Sequence, residues 1–137
     1  MNRPEMSYGL RHVALYVRDL PACERFYVDL LGMKVEWRPD QRNIYLSSGS
    51  DNLALHQAAA EITDEAVQRL DHIGFFLATA SLVDEWFAWL REQGVPMRTE
   101  PRTHRDGARS FYCCDPDGTL VQIIFHPPVR DWEARRG

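Results

Sequence analysis

Apolar residues alternate with small or polar residues in two short segments that resemble each other. The segments are Leu10–Val17 and Asp71–Ala78, and each carries a histidine near its start, His12 and His72. Alternation with a period of two residues is typical of a half-buried β-strand. The pattern therefore predicts two similar strands, one in each half of the chain, with a histidine at matching places.

A helix signal follows each predicted strand. In the first half, Asp19 is a suitable N-cap, Pro21 suits the first turn and Gly32 ends the apolar helical pattern. In the second half, Ser81 and Asp84 form a capping-box sequence ahead of an apolar helical stripe. We therefore expect one helix after each of the two strands.

Three further strand candidates follow each helix. They are Met33–Arg38, Arg42–Ser47 and Asn52–Gln57 in the first half, and Val95–Thr99, Ala108–Cys114 and Thr119–Phe125 in the second. Turn residues separate them, for example Pro39-Asp40 and Asp115-Pro116-Asp117-Gly118. Each half has the order β-α-β-β-β, which predicts an α+β fold built from two βαβββ modules.

The modules are expected to span residues 8–57 and 71–126 of a single domain, 1–137. Residues 58–70 contain a helix-start pattern at Thr63-Asp64-Glu65 and are interpreted as a short helical linker. Residues 127–137 are expected to form a peripheral tail that Trp132 anchors.

Composition is that of an ordinary soluble domain, with 45% hydrophobic and 26% charged residues among 137. The formal net charge of −4 argues against a broad nucleic-acid interface. No stretch approaches the roughly 20 apolar residues of a membrane span, and the N-terminus lacks a signal-peptide core. We therefore expect neither a nucleic acid nor a membrane as a partner.

The three cysteines are Cys23, Cys113 and Cys114. Their odd number, and the adjacency of two of them, predict free thiols in a reducing cytoplasm. Neither a CxxC motif nor a Cys–His zinc spacing is present, so a structural zinc site is not expected.

Alternation divides each first strand into an apolar row, expected beneath the helix, and a mixed row on the other face. The mixed rows are His12, Ala14 and Tyr16 in the first half, and His72, Gly74 and Phe76 in the second. Small, aromatic and polar residues together are typical of a pocket lining. Tyr16 and Phe76, together with Phe111, are therefore the predicted substrate-pocket residues.

Two polar residues on the last strands extend this pattern. His56 lies five residues after Asp51, and Gln122 lies five residues after Asp117, so the two positions are taken as equivalent. Both should face the same side as His12 and His72. A single histidine on a strand is more commonly a hydrogen-bonded core or surface group, but equivalent placement in both halves favours a metal site.

The chain resembles the vicinal-oxygen-chelate superfamily, which includes glyoxalase I, extradiol dioxygenases and bleomycin-resistance proteins. The resemblance covers nearly all of residues 8–126. It is carried by Arg11-His12-Val13, Phe26-Tyr27-Val28-Asp29-Leu30-Leu31-Gly32-Met33, Asp71-His72-Ile73-Gly74-Phe75, and Phe111-Tyr112 followed by Asp115-Pro116-Asp117-Gly118-Thr119-Leu120-Val121-Gln122. These motifs identify the superfamily and no particular reaction.

The resemblance implies two modules whose mixed sheets curl around a shared cleft, and a homodimer. It also implies metal ligands on the first and fourth strand of each module, which here are His12, His56, His72 and Gln122. Metal-using relatives generally have glutamate where this chain has Gln122. A shell of imidazoles and an amide is neutral and suits a divalent transition metal such as zinc, nickel or iron.

This neutral shell changes the expected chemistry. It leaves the full charge on the metal, which makes it a strong Lewis acid but weakens its retention. Gln122 cannot act as a proton base, so His56 is the candidate catalytic base if it is not bound to the metal.

Three classes of function remain open. The first is a metal-dependent lyase, isomerase or dioxygenase that acts on a small oxygenated substrate, and the histidines favour it. The second is a metal-free small-molecule binding or sequestration protein of the bleomycin-resistance type, which Gln122 favours. The third is an interaction module with a vestigial cleft. A basic stretch with Arg102, Arg105 and Arg109 is interpreted as solvated surface or as a contact for an acidic substrate.

Overall fold

The computed structural model describes residues 2, 4, 10–59 and 70–128. The chain divides into two compact units, Met1–Thr63 and Asp64–Gly137. The predicted linker helix falls mainly on residues 60–69, and Trp132 falls in the tail beyond residue 128, so both predictions lie outside the described residues.

The first unit contains a four-stranded mixed sheet. Its elements are β1 (His12–Val17), α1 (Leu20–Glu24), a π-helical continuation (Arg25–Leu30), β2 (Lys34–Asp40), β3 (Asn43–Ser47) and β4 (Asn52–Gln57). The strand order is β1-β4-β3-β2, with β1 and β4 parallel and the other neighbours antiparallel.

The second unit repeats this topology. Its elements are β5 (Ile73–Phe76), α2 (Ala80–Glu92), β6 (Arg102–Thr103), β7 (Arg109–Cys114) and β8 (Leu120–Phe125). The strand order is β5-β8-β7-β6, again with the first pair parallel. The predicted α+β fold with two βαβββ modules is confirmed.

The helices begin and end at specific side chains. Asp19 caps α1 as predicted, because its carboxylate accepts from the backbone N–H of Ala22. The capping box at Ser81 was wrong, because the cap of α2 is Thr79, whose hydroxyl accepts from Leu82 N. Gly94 follows α2 with a φ of +82°, a left-handed conformation that favours glycine. Among the described residues, no helix is long and apolar enough to cross a membrane.

In both first strands the apolar row is less exposed than the residues that alternate with it, although Ile73 and Phe75 of β5 are only half-buried. In the first unit Leu15 and Val17 are buried, whereas Tyr16 between them is 72% exposed. Phe26 and Tyr27 of the π-helical segment are also buried, with their rings edge to face. One face of each sheet is therefore committed to the core, and the residues of the opposite face remain available for other contacts.

Two predicted elements differ in position. Strand β2 continues through Pro39 to Asp40, because it is the edge strand and an edge tolerates the missing N–H of proline. The predicted strand Val95–Thr99 is reduced to one bridge between Met97 and Cys113. The short edge strand β6 forms further along instead.

Candidate functional site

His12 begins β1 on the open face of the first sheet. Its Nδ1 lies 2.7 Å from Oδ1 of Asn52, which is the residue opposite it in the parallel β1–β4 register. Nδ2 of Asn52 in turn donates to Oε2 of Glu36 at 2.7 Å. The imidazole is thus the end of a His–Asn–Glu chain. Sequence reasoning missed Asn52 and Glu36, because only the register brings them beside His12.

His56 is half-buried on β4 and has a similar set of partners. Its Nδ1 lies 2.6 Å from Oδ1 of Asn43, the residue opposite it on β3. Nδ2 of Asn43 donates to both carboxylate oxygens of Asp40, at 2.9 and 3.0 Å. The first unit therefore contains a second chain of the same kind, His–Asn–Asp.

Aromatic rings surround His56. Its ring centroid lies 6.1 Å from that of Tyr16 and 5.9 Å from that of Tyr45, the latter edge to face. Trp37 stacks on Tyr45 at 5.1 Å and is 58% exposed. His56 with Tyr16, Tyr45 and Trp37 forms a mixed aromatic surface, which we call the His56 surface.

His72 lies just before β5 in the second unit. Its Nδ1 lies 2.5 Å from a carboxylate oxygen of Asp71, and its ring packs edge to face on Tyr112 with centroids 5.3 Å apart. The aromatic contact and the carboxylate both restrict the orientation of the imidazole.

Gln122 of β8 lies opposite Gly74 of β5. Its Nε2 donates to the hydroxyl of Ser110 at 3.1 Å, a residue that is 2% exposed. A Cβ on Gly74 would lie 3.9 Å from Oε1 of Gln122. The glycine therefore leaves about the space of a methyl group beside the amide oxygen.

The register corrects the proposed equivalence of His56 and Gln122. Gln122 lies opposite Gly74, and the residue in the first unit that corresponds to Gly74 is Ala14, which lies opposite Ala54. His56 lies two residues further along, opposite Tyr16. The equivalence was wrong because the turn before β8 contains two more residues after its aspartate than the turn before β4.

The predicted pocket residues divide into two groups. Tyr16 is 72% and Phe76 57% exposed, so both rings are accessible on their sheets. Phe111 was predicted wrongly as a pocket residue. It is fully buried, and its ring packs edge to face on Phe87 of α2 at 5.3 Å, which places it in the core of the second unit.

The basic stretch near β7 also divides. Arg109 makes a two-pronged ion pair with Asp84 of α2, with N···O distances of 2.7 and 2.9 Å. This guanidinium lowers the pKa of the Asp84 carboxyl. Arg102 and Arg105 are exposed. Arg109 therefore joins β7 to α2.

The donors are distributed over both units. Among residues 10–59 and 70–128, no group of three or more His, Cys, Asp or Glu side chains is gathered in a way that could hold a metal ion. The donor chemistry nevertheless fits a transition metal. In His12, His56 and His72, Nδ1 lies within hydrogen-bond distance of an oxygen atom, which leaves Nε2 of each ring for a metal ion.

Proteins with similar sequences include metallothiol transferases. The protein is 29% identical over 118 residues to metallothiol transferase FosB of Staphylococcus epidermidis, covering 84% of this chain and 80% of that relative. It is 30% identical over 120 residues to the FosB of Staphylococcus saprophyticus, covering 86% and 77% of the two chains.

Solved structures share the fold. Lactoylglutathione lyase from Agrobacterium tumefaciens superposes with a TM-score of 0.73 at 23% identity, covering 88% of this chain and 96% of that one. An integron cassette protein of Vibrio cholerae gives a TM-score of 0.67 at 28% identity, with 90% and 98% covered. The family model of the glyoxalase/bleomycin resistance protein/dioxygenase superfamily matches residues 9–123. The chain therefore belongs to the glyoxalase/bleomycin resistance protein/dioxygenase superfamily.

Proposed function

We propose that this protein is an enzyme that uses a divalent transition metal to modify a small oxygenated molecule. His12, His72 and Gln122 are the proposed ligands, and zinc, nickel or iron is the proposed metal. The similarity to metallothiol transferases supports a metal-dependent modification of a small molecule. Group transfer therefore joins lyase, isomerase and dioxygenase chemistry among the reactions to test.

One observation carries the proposal: the Nδ1 atoms of His12 and His72 each lie against an oxygen acceptor. A histidine that donates from one ring nitrogen to an oxygen presents the lone pair of the other, as histidine ligands of metals usually do. Asn52 and Asp71 are then the outer partners that orient the two ligands.

Gln122 gives the proposed site its particular character. An amide oxygen is a neutral and weaker donor than a carboxylate, so the bound ion retains its full positive charge. Such an ion polarises a carbonyl or phosphoryl oxygen of the substrate strongly when it is bound. The same neutrality lowers the affinity for the metal, which makes retention during purification the sensitive measurement.

His56 is the proposed proton acceptor and not a ligand. It lies four register positions along the sheet from His12, opposite Tyr16. Because Gln122 has no basic form, a reaction that moves a proton needs such a group. The aromatic rings of the His56 surface provide apolar walls for the body of a substrate.

The test is metal analysis of the protein purified without a histidine tag, before and after treatment with a chelator and after titration with zinc, nickel or ferrous iron. We expect stoichiometric uptake of at least one of these ions. No uptake of any of them would overturn the proposal. With metal bound, oxygen uptake in the presence of a catechol separates a dioxygenase from the other reactions.

A metal-free binding protein is the second candidate, because Gln122 is neutral and the His56 surface is aromatic and accessible. It predicts ligand binding that a chelator does not affect.

We further propose a homodimer in the cytoplasm, in keeping with the thiols of Cys23, Cys113 and Cys114, which form no disulfide. Light scattering on the purified protein tests the dimer.

A further inference from the structure

Asp40 and Asn43 form a fixed pair beside His56. The carboxylate of Asp40 accepts from the backbone N–H of Arg42 at 2.7 Å and from Nδ2 of Asn43. Both contacts lower the pKa of the Asp40 carboxyl, the backbone hydrogen bond from Arg42 most strongly. The carboxylate is therefore ionised at neutral pH and can only accept hydrogen bonds.

This acceptor determines which way the amide of Asn43 points. Only its NH₂ group can donate to a carboxylate, so Nδ2 must face Asp40 and Oδ1 must face His56. Oδ1 in turn can only accept, and it lies 2.6 Å from Nδ1 of the imidazole. A neutral His56 must therefore carry its hydrogen on Nδ1.

We propose that Asp40 and Asn43 are positioning residues that hold His56 in the Nδ1–H tautomer and leave Nε2 as a hydrogen-bond acceptor. The free imidazole favours the opposite, Nε2–H form, so the pair reverses the intrinsic preference. The substrate group that meets His56 is then one that donates a hydrogen, such as a hydroxyl, thiol or ammonium group. The link to catalysis rests on the proposed function, whereas the tautomer itself does not depend on it.

The aromatic contacts support this orientation. Tyr16 and Tyr45 flank the imidazole, and Tyr45 meets it edge to face. Rotation of the ring by 180° about χ2 would place Cδ2 where Nδ1 now lies, and it must displace these neighbours and break the hydrogen bond to Asn43. Asn43 and the two tyrosines therefore all restrict the rotation of the His56 ring about χ2.

The experiment is ¹⁵N NMR of the histidine side chains in the full chain, because protonated and bare ring nitrogens have well-separated shifts. At a pH well above the ordinary histidine pKa of about 6.5, we expect the Nδ1–H form of His56 in the wild type. Asn43→Ala should shift the tautomer ratio by about tenfold towards Nε2–H, as expected for the loss of one hydrogen bond. Asp40→Ala should shift it in the same direction by releasing the amide.

Asn52→Ala is the matched control, since it removes the corresponding amide beside His12 and should leave the His56 tautomer unchanged. Asn43→Asp restores an acceptor and should restore the Nδ1–H form. An Nε2–H form of His56 in the wild type, or a ratio that neither Asn43→Ala nor Asp40→Ala changes, would overturn the proposal. Addition of diamagnetic zinc tests the proposed metal site separately from the proposed tautomer, because zinc should shift the His12 and His72 signals and not those of His56.

Discussion

His12 and His56 lie on the same open face of the first sheet, four register positions apart. Four residues of β-strand span about 13 Å, whereas two nitrogens bound to one zinc ion are separated by no more than about 4 Å. Each imidazole is also held locally, by Asn52 and Asn43 respectively. The two histidines therefore cannot be ligands of one ion without breaking these contacts.

Alanine substitution of the two histidines should separate their roles. His12→Ala should lose metal during gel filtration, because the substitution removes one of three proposed donors. His56→Ala should retain the wild-type metal content while losing any activity that requires proton transfer. Metal content measured by mass spectrometry checks both, and equal loss in the two variants would contradict the assignment.

Gln122→Glu should tighten metal retention. The carboxylate adds a negative charge to an otherwise neutral set of ligands, and its attraction to a dipositive ion exceeds that of the amide oxygen. The measurement is the chelator concentration needed to remove half of the metal. Gln41→Glu, the same chemical change at an exposed turn position, is the control. Unchanged retention in Gln122→Glu would exclude this residue as a ligand.

Phe111 and Phe76 should respond very differently to truncation. Phe111→Ala removes a fully buried ring that packs on Phe87 and should lower the free energy of unfolding by about 3–5 kcal/mol. Phe76→Ala removes a ring that is 57% exposed and should cost less than about 1 kcal/mol. Urea denaturation checks both values, and a small loss in Phe111→Ala would contradict its core position.

Strand alternation predicted which residues share a face, because successive side chains of a β-strand point to opposite faces of the sheet. Register depends on turn length. Counting from the turn aspartates made His56 the counterpart of Gln122, although His56 lies two register positions beyond the true counterpart. Because two is a whole period of the strand, the face was right although the neighbour was wrong.

The sequence alone did not predict the hydrogen-bond partners of the histidines. Asn43 and Asn52 each lie opposite a histidine on a neighbouring strand, and Asp40 ends the edge strand. In a list of residues they are ordinary turn and strand-end polar residues. Their role depends on hydrogen bonds between strands, and these follow only from the pairing.

The ion pair between Asp84 and Arg109 should contribute modestly and in a pH-dependent way. The pKa of Asp84 is lower in the folded protein, so the pair stabilises the fold above the unfolded-state pKa. This contribution is lost as the pH falls through the folded-state pKa. Because Asp84 is half exposed, Asp84→Asn should cost about 1 kcal/mol or less at pH 7.

The difference between Asp84→Asn and wild type in urea denaturation should shrink towards zero in acid. Glu85→Gln, a neighbouring exposed charge on α2, is the control for a general loss of negative charge. A destabilisation by Asp84→Asn that is the same at pH 7 and in acid would show that the carboxylate charge is not the cause.

The cysteines should be inert to thiol reagents in the native protein. Burial raises the pKa of Cys113 to about 12, with the negative charges that Cys114 and Asp115 carry when ionised adding to the effect. Since the thiolate is the reactive form, almost none is present at pH 8. Cys23 and Cys114 are buried as well, which blocks the approach of a reagent.

Titration with a disulfide dye should therefore detect no fast-reacting thiol in the native state and three in denaturant. Ser50→Cys, in the exposed turn before β4, should add one fast-reacting thiol and verifies the assay. Rapid labelling of the native wild type would show that at least one cysteine is accessible, contrary to its burial.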